Sequence, residues 1–452
     1  AVSRALEADV RRPGQRVALV LPNASAFVAG FFGAARTGAV VAPLYARFRA
    51  RELAYHLDDL DPVAVLTDPD STDIVRSALE ISTRQPTVVA LSPPSGIELV
   101  RRGHGDGAVL ATSGTPLLQQ YTSGSTGAPK RIVRTHAALL AEIETLASTL
   151  DLGPEDRFLG VAPFSHVNGL VRTMMTAMHV GGRLYPLEEF GRRSVLDLLA
   201  RERISYFCGV AQMFTLLSYT TSRESVDLRA LRVVLSSSAP LRAEDNRRVH
   251  ARHGFFVRQL YGSTETGTIS LNREPSVDDC LDSVGTPVPG VDIDIVGEGG
   301  GSLPPGEPGE VVITSPFAAN EYVGNREATE ASFRNGSYFS GDLGVRDVLG
   351  RLRLTGRIKL MINRGGFKIS PDEIEDVVGS HPCVSEAAVA RVPGVNGEDA
   401  IRCVIVPAAP CSADDILRHC RERLADFKIP TRIEFRDALP RSPAGKILRG
   451  AL

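Results

Sequence analysis

Lysine is nearly missing from this 452-residue chain. Of 51 lysines and arginines only five are lysine: Lys130, Lys359, Lys368, Lys428 and Lys446. Arginine has taken over the ordinary surface cation, a bias that hints at a GC-rich bacterial genome. The survivors all lie in Gly- or Pro-rich signature segments, SGSTGAPK, GRIKLMINRGGFK, LADFKIP and PRSPAGK. Arginine is a planar five-donor fork, lysine a compact charge on a thin flexible stem. A charge that must slide between two anions is one reason to retain lysine, so these positions point to a site.

Cysteine is also sparse. The six (Cys208, Cys280, Cys383, Cys403, Cys411 and Cys420) are widely spaced, with no CxxC pair. That spacing argues against a zinc site or a disulfide framework and for reduced thiols in a cytoplasm. Charge of one sign is lacking too: a formal net charge of −2 offers no general attraction to nucleic acid or to an anionic membrane. Long apolar runs are absent as well. The most apolar stretch, Phe27 to Leu44, holds Arg36 and three glycines and does not read as a membrane span. Residues Ala1 to Arg12 lack the apolar core of a signal peptide. The first residue is not Met, which leaves room for residues upstream of Ala1.

What is present is a soluble-protein composition, 43% hydrophobic and 23% charged, in a length that calls for two or three domains. The first half alternates β-branched runs with helical patterns: Arg16–Leu21, the helix Ala24–Thr37, Val40–Pro43, the helix Arg51–Leu60, Val63–Leu66. The rhythm returns from Arg157 to Val257, with a helix at Ser194–Glu202 before Ile204–Cys208. Such alternation predicts βαβ units on largely parallel sheets. From Gly285 to Leu354 short strands between Gly and Pro turns predict a small barrel or curled sheet. Beyond Gly356 a compact α+β unit follows. Ser370–Glu373 reads as a capping box opening a helix that stops near Gly379; strands Val384–Val392 and Ala400–Val406 and a helix from about Ser412 to Asp426 complete it. The domain boundary is expected near Lys359, dividing 1–358 from 359–452.

The strongest motif is Tyr121-Thr-Ser-Gly-Ser-Thr-Gly-Ala-Pro-Lys130. Small residues let backbone N–H groups approach phosphate oxygens, hydroxyls add donors, and Lys130 adds charge. A Walker loop is excluded because the Gly-Lys-Ser/Thr ending is missing, and with it a P-loop kinase. A flexible linker would have no reason to place Pro-Lys after the last glycine.

This segment resembles the phosphate loop of the adenylate-forming superfamily, which includes acyl- and aryl-CoA synthetases, luciferases and peptide-synthetase adenylation domains. The resemblance continues in order along nearly the whole chain. Ala162-Pro-Phe-Ser-His-Val-Asn-Gly169 is similar to the substrate-side aromatic/His motif, and Ser236-Ser-Ser-Ala-Pro-Leu241 to the adenine-contact loop. Tyr261-Gly-Ser-Thr-Glu-Thr266 is similar to the nucleotide motif and Tyr338-Phe-Ser-Gly-Asp342 to the ribose motif. Gly356-Arg-Ile-Lys359 resembles the hinge, and Pro440-Arg-Ser-Pro-Ala-Gly-Lys446 the C-terminal catalytic loop. One such motif would be weak; seven in order identify the superfamily.

The resemblance implies ATP, Mg²⁺ and CoA as cofactors and a role for each residue. Lys446 would bridge carboxylate and α-phosphate oxygens, the charge neutralisation that joining two anions requires; the bland alternative is a solvated C-terminal lysine. Glu265 maps to the Mg²⁺-holding glutamate with Thr126 as a hydroxyl partner, hard oxygen ligands that suit the ion. Thr122, Ser123, Gly124, Ser125, Thr126, Gly127 and Lys130 would cradle phosphates. Ser238, Ala239, Pro240, Tyr261, Gly262, Ser263 and Thr264 would surround the base, with Tyr261 stacked on adenine or packed as a core tyrosine. Asp342 would accept the ribose hydroxyls and Arg357 would pair with ribose or phosphate. His166 would line or gate the acid entrance, unless it is a packed structural histidine. Lys359 maps to the hinge. Gly365 and Gly366 would flank a pantetheine tunnel, or form a hairpin turn. Lys368 and Lys428 read as structural or rim charges.

The function implied is an acyl- or aryl-CoA ligase of two-domain α/β architecture, a large N-terminal portion followed by a small mobile one. The first rival delivers its acyl group to the phosphopantetheine of an acyl carrier protein. An amino-acid adenylation domain fits less well, because Pro-Phe-Ser-His stands where an amino-group-binding Asp is usual. A non-catalytic paralogue would have lost the catalytic lysine or the acids. The acid pocket should be walled by His166, Val167, Asn168 and Gly169, by Cys208–Phe214 including Gly209 and Met213, by Ser236 and Ser237, and by Gly262. These walls hold no obvious cation for a second carboxylate, so an aromatic or bulky alicyclic monocarboxylic acid is expected. Two departures stand out: Ser237 where glycine is common, and Leu360 where an acid often follows the hinge.

Overall fold

The computed structural model describes residues 1–92, 96–101, 112–122, 129–220, 226–274, 281–364, 367–394, 399–442 and 445–452. Hydrophobic alternation in the first half is realised as strands Arg16–Val20, Val40–Leu44 and Ala64–Thr67 with helices Ser25–Ala35 and Ala50–Leu60 between them. The strands pair in parallel, Arg16 opposite Val40 and Val17 opposite Ala64, at the centre of a seven-stranded sheet. Near-continuous burial of these strands is what parallel pairing with helices on both faces demands.

The sheet ends on Pro116–Thr122 and Lys130–Thr135, which pair antiparallel with Thr122 opposite Lys130. The phosphate-loop motif therefore joins two antiparallel strands, unlike a strand-to-helix Walker loop; its residues Ser123, Gly124, Ser125, Thr126 and Gly127 lie outside the described residues.

A second seven-stranded sheet has Val233–Ser237 at its centre, flanked in parallel by Tyr206–Val210 and Arg258–Ser263. Its helix Arg192–Arg201 and strand Tyr206–Val210 match the expected pair to within two residues. Both sheets finish in antiparallel edges, which the parallel reading did not anticipate. Strands Asp292–Val296, Gly309–Thr314, Phe333–Arg334, Ser337–Arg346 and Leu352–Arg357 form the curled antiparallel sheet, with Asp342 opposite Arg357. The last unit sets Val384–Pro393, Asp399–Pro407 and Arg432–Phe435 in one sheet against helices Pro371–Gly379 and Ala413–Arg421 around an apolar core of its own.

Three expectations change. Ser370 is the N-cap of its helix, but its hydroxyl donates to the Thr355 carbonyl at 2.9 Å and makes no capping bond. A capping box does form at Ser412 and Asp415, and that helix ends at Arg421 instead of Asp426. Cys383 and Cys411, 28 residues apart in sequence, are joined by a disulfide, with His381 beside them. Spacing along the chain concealed a pair that the fold brings together. Cys208, Cys403 and Cys420 are free and buried, and Cys280 lies outside the described residues.

Candidate active site

The nucleotide side of the site is assembled by register. Because Asp342 pairs with Arg357 across two antiparallel strands, the carboxylate meets the guanidinium at 2.5 Å. The Tyr261 hydroxyl donates to the same carboxylate at 2.6 Å. Burial, and then Asp342, push the Tyr261 phenol well up, so it stays a donor. Arg357 keeps half its side-chain surface, while Asp342 is almost fully covered. An acid that is buried yet offers lone pairs toward an open cleft can accept from two neighbouring hydroxyls.

Beside it, Glu265 accepts from the Tyr322 hydroxyl at 2.9 Å, and Tyr322 in turn lies 3.2 Å from the Tyr338 hydroxyl. Lys130 stacks its ammonium over the Tyr322 ring, 4.3 Å from the centroid. Burial chiefly, and then the charge of Lys359, hold Lys130 below the ordinary lysine range, while Glu265 acts the other way. Three of the five lysines thus converge: Lys446 sits among Arg357, Glu265, Asp342 and Arg172, and burial followed by Arg357 holds its ammonium low. Lys446 remains accessible to the solvent of the cleft although protein surrounds it. The adjoining Gly445, at a positive φ of 76°, approaches the Val210 side chain, so the C-terminal loop reaches the end of a strand in the second sheet. Arg242 donates to the Gly379 and Ser385 carbonyls, both at 3.0 Å, and fastens the small unit to the large one.

The acid side is built on the turn after Phe164. His166 carries an Nε2 that is buried and without a partner, and burial with Lys446 pushes its imidazole down to about 4, so it is neutral near pH 7. Ser236 likewise has a buried, unpartnered hydroxyl. Asn168 donates to the Gly209 carbonyl at 3.0 Å and accepts from the Cys208 thiol at 2.8 Å, tying the motif to the second sheet. Val167 belongs to the core beneath the first sheet, and Met213 to the core around Phe214. A side chain at Gly169 would collide with the Ala162 and Pro163 carbonyls, so glycine is required there by close backbone approach.

The expected walls hold no cation of their own, but one stands directly behind them. Arg172, six residues beyond His166, is buried and donates from Nη1 to the Ser237 hydroxyl at 2.8 Å and from Nε to Thr268 at 3.1 Å. A methyl group on Gly262 would overlap its Nη2. A lone arginine inside the apolar run Leu170–Met175 was the available signal. Tyr322 and Arg242 were also missed, and nothing in their sequence setting marks them.

On the remaining positions, Ser238 adopts a left-handed φ of 75°, a strained conformation of the kind that concentrates at binding loops. Ala239 and Pro240 follow it on the exposed rim. The Ser263 hydroxyl closes a turn with Thr266 at 2.9 Å, with Thr264 between them. Thr122 ends its strand at the loop. Lys359 lies in the short 3₁₀ turn Ile358–Leu360 after the ribose strand. Gly365 and Gly366 fall outside the described residues, between strands that pair Arg364 with Phe367. Lys368 and Lys428 form surface ion pairs with Glu298 and Glu373.

Such a cleft, with an acid on one strand pair, a loop lysine beside it and a lysine brought in from a second unit, defines an enzyme that handles nucleotide and carboxylate together. The chain belongs to the AMP-binding enzyme family: it matches that family over residues 1–323 and the AMP-binding enzyme C-terminal domain over 373–446. It is 32% identical to a feruloyl-CoA synthase of an Amycolatopsis species, over 99% of this chain and 90% of the relative. A long-chain fatty-acid–CoA ligase of Mycobacterium tuberculosis is 33% identical over 97% and 88%. ATP-bound MatB from Rhodopseudomonas palustris superposes with a TM-score of 0.89 at 28% identity, covering 100% of this chain and 90% of that one.

Proposed function

We propose that the protein is an AMP-forming acyl- or aryl-CoA ligase. A carboxylate attacks the α-phosphate of ATP to give an acyl-adenylate and pyrophosphate; the CoA thiolate then attacks the acyl carbon and AMP leaves. Two steps are easier than one because AMP is a far better leaving group than oxide. What supports the reading is above all Lys446, a lysine from the last unit held among Asp342, Glu265 and Arg357. Its ammonium would offset the repulsion of two anions at the moment they meet, the kind of electrostatic term that carries most of such a barrier.

Asp342 would take the ribose hydroxyls, Arg357 the ribose or phosphate, and Tyr261 the adenine face. Lys130 and the hydroxyls of the phosphate loop would bind the β- and γ-phosphates. Glu265 fits a divalent ion: Tyr322 occupies one of its oxygens, and the other can meet a hard cation whose remaining ligands come from phosphate and water. Mg²⁺ would supply charge neutralisation there. Neutral His166 would close the acid pocket with its free Nε2 toward the substrate. Lys359 would be the hinge of a C-terminal domain swing, and Gly365–Gly366 would admit the pantetheine arm. An acid with a ring or other bulky body fits walls made by Gly209, Gly262 and the small side chains Ser236 and Ser237.

Incubation of enzyme with ATP, Mg²⁺, CoA and a panel of bulky carboxylic acids should yield AMP and one acyl-CoA in equal amounts. AMP and thioester appearing only when a phosphopantetheinyl carrier protein replaces CoA would shift the acceptor. Hydrolysis of ATP to ADP would defeat the reading.

A further inference from the structure

Leu170–Met175 forms a single π-helical turn in which Thr173 and Thr176 donate their hydroxyls five residues back, to Asn168 and Val171. Widened turns of this kind are rare, recur at functional sites, and shift a side chain off the regular helical lattice. The residue carried by this one is Arg172, whose side chain is 3% exposed.

Its five N–H donors are only partly used. Nε donates to Thr268 Oγ1 at 3.1 Å, Nη1 to Ser237 Oγ at 2.8 Å and Nη2 to the Gly267 carbonyl at 3.2 Å. Two N–H groups are left over. Charge is likewise unbalanced. Arg172 and the equally buried Arg134 share a single acid, Glu142, which lies 2.5 Å from Arg134 and 3.9 Å from Arg172. Thr268 also donates to Glu142 at 2.8 Å. The neighbours Cys208 and Tyr206 supply no anion, because burial pushes the thiol up to about 12 and the phenol well above its ordinary value. Among the described residues these two buried cations therefore have one anion between them, an arrangement that proteins avoid unless something answers it.

The surroundings show where the answer would come from. Ser237, which stands where glycine is common among adenylate-forming enzymes, puts its hydroxyl on Arg172, and Gly262 leaves the space that Nη2 occupies. His166 Nε2 and Ser236 Oγ, both buried and unpartnered, lie on the two segments that adjoin Arg172 and Ser237. Lys446 has Arg172 among its charged neighbours, after Arg357, Glu265 and Asp342, so the guanidinium lies within electrostatic reach of the C-terminal loop.

We infer that Arg172, braced by Ser237, is a specificity-determining residue, and that the acid activated here is a bulky dicarboxylic acid whose second carboxylate pairs with Arg172. The inference rests on the ligase reading and names its substrate class. A planar guanidinium meets a carboxylate through two parallel hydrogen bonds, which an ammonium or a hydrocarbon floor cannot offer. Sites built around such a contact reject analogues that lack it, since the buried donors are then left bare.

The test compares kcat/KM for AMP release between aromatic and alicyclic dicarboxylic acids and their monomethyl esters, which keep the shape and lose the charge. The wild type should favour the diacid by at least about 100-fold. Arg172→Met should bring that ratio to about one, mainly through KM, Arg172→Lys should keep part of it, and Lys446→Ala should lower both members alike. Ser237→Gly, a milder change, should reduce the preference without abolishing turnover. A wild-type ratio within about threefold, a preference for the ester, or an equal loss for both members in Arg172→Met would overturn the inference and leave Arg172 a structural brace. Turnover of uncharged-tail acids alone defeats only this assignment; no AMP from any acid removes the ligase reading and the inference with it.

Discussion

Asp342 serves two protein partners and, on this account, a ribose. Arg357 and Tyr261 bind it at 2.5 and 2.6 Å, so Asp342→Asn removes a charge-assisted acceptor without changing shape. Losing such bonds costs about 2 kcal/mol, and KM for ATP should rise about 30-fold in steady-state assays while the acid KM stays within twofold. His166 makes a pH prediction. Its imidazole titrates at about 4 in the folded protein against an ordinary 6.5. As pH falls through 6.5 the unfolded chain gains a proton that the folded one refuses until about 4. Folding stability is thus complete above 6.5 and declines below it, by on the order of 3 kcal/mol at pH 4. Urea unfolding should show His166→Gln escaping that decline; parallel pH profiles for the two proteins would contradict it. At this scale the sequence was most informative where a motif carried the residue. Lys446, Asp342, Glu265 and Lys130 sit in recognisable strings and do meet in the fold. Arg172 and Tyr322 meet them only through tertiary contact, and a single residue in an apolar or mixed run carries no pattern to read.

The helix His136–Thr149 shows what an element contributes. It places Glu142, fully buried, between Arg134 on the preceding strand and Arg172 on the π-turn. Glu142→Ala leaves two buried guanidinium groups unanswered and should destabilise the protein by about 3–5 kcal/mol in chemical denaturation. A change under 1 kcal/mol would mean that water reaches the cluster. Element positions were largely legible because short β-branched runs alternate with longer helix-forming stretches, as in Arg16–Val20 followed by Ser25–Ala35. Element ends were less so. Ser370 and Ser412 both precede an acid three residues on, and only Ser412 uses it; Ser370 has a strand carbonyl within reach, and its helix begins with Pro371. The antiparallel edges escaped notice for a similar reason: alternation is the same whichever way the neighbouring strand runs. The Cys383–Cys411 bond joins positions whose nearness exists only once Val384–Pro393 has paired with Asp399–Pro407.

For the whole molecule, the proposed two half-reactions would require the last unit to change place between them. In the described arrangement Arg242 grips Gly379 and Ser385, and Gly445 reaches Val210, which brings Lys446 to the nucleotide residues. On the proposed reading, adenylation would use this arrangement and thioester formation a second one, reached by a swing about Lys359. Lys359→Pro, which fixes one backbone torsion at the expected hinge, should leave adenylation within about twofold and slow thioester formation at least tenfold in single-turnover assays. The change of texture after Gly285 and Gly356 is where the sequence suggests a division into units. How the last unit docks carried no sequence signal, because the contacts are backbone carbonyls and one arginine. If Lys446 completes the adenylation site, ATP–pyrophosphate exchange with an accepted acid should fall by at least about 100-fold in Lys446→Ala relative to wild type, with unchanged folding because the side chain is solvent-accessible. Exchange within threefold of wild type would contradict it.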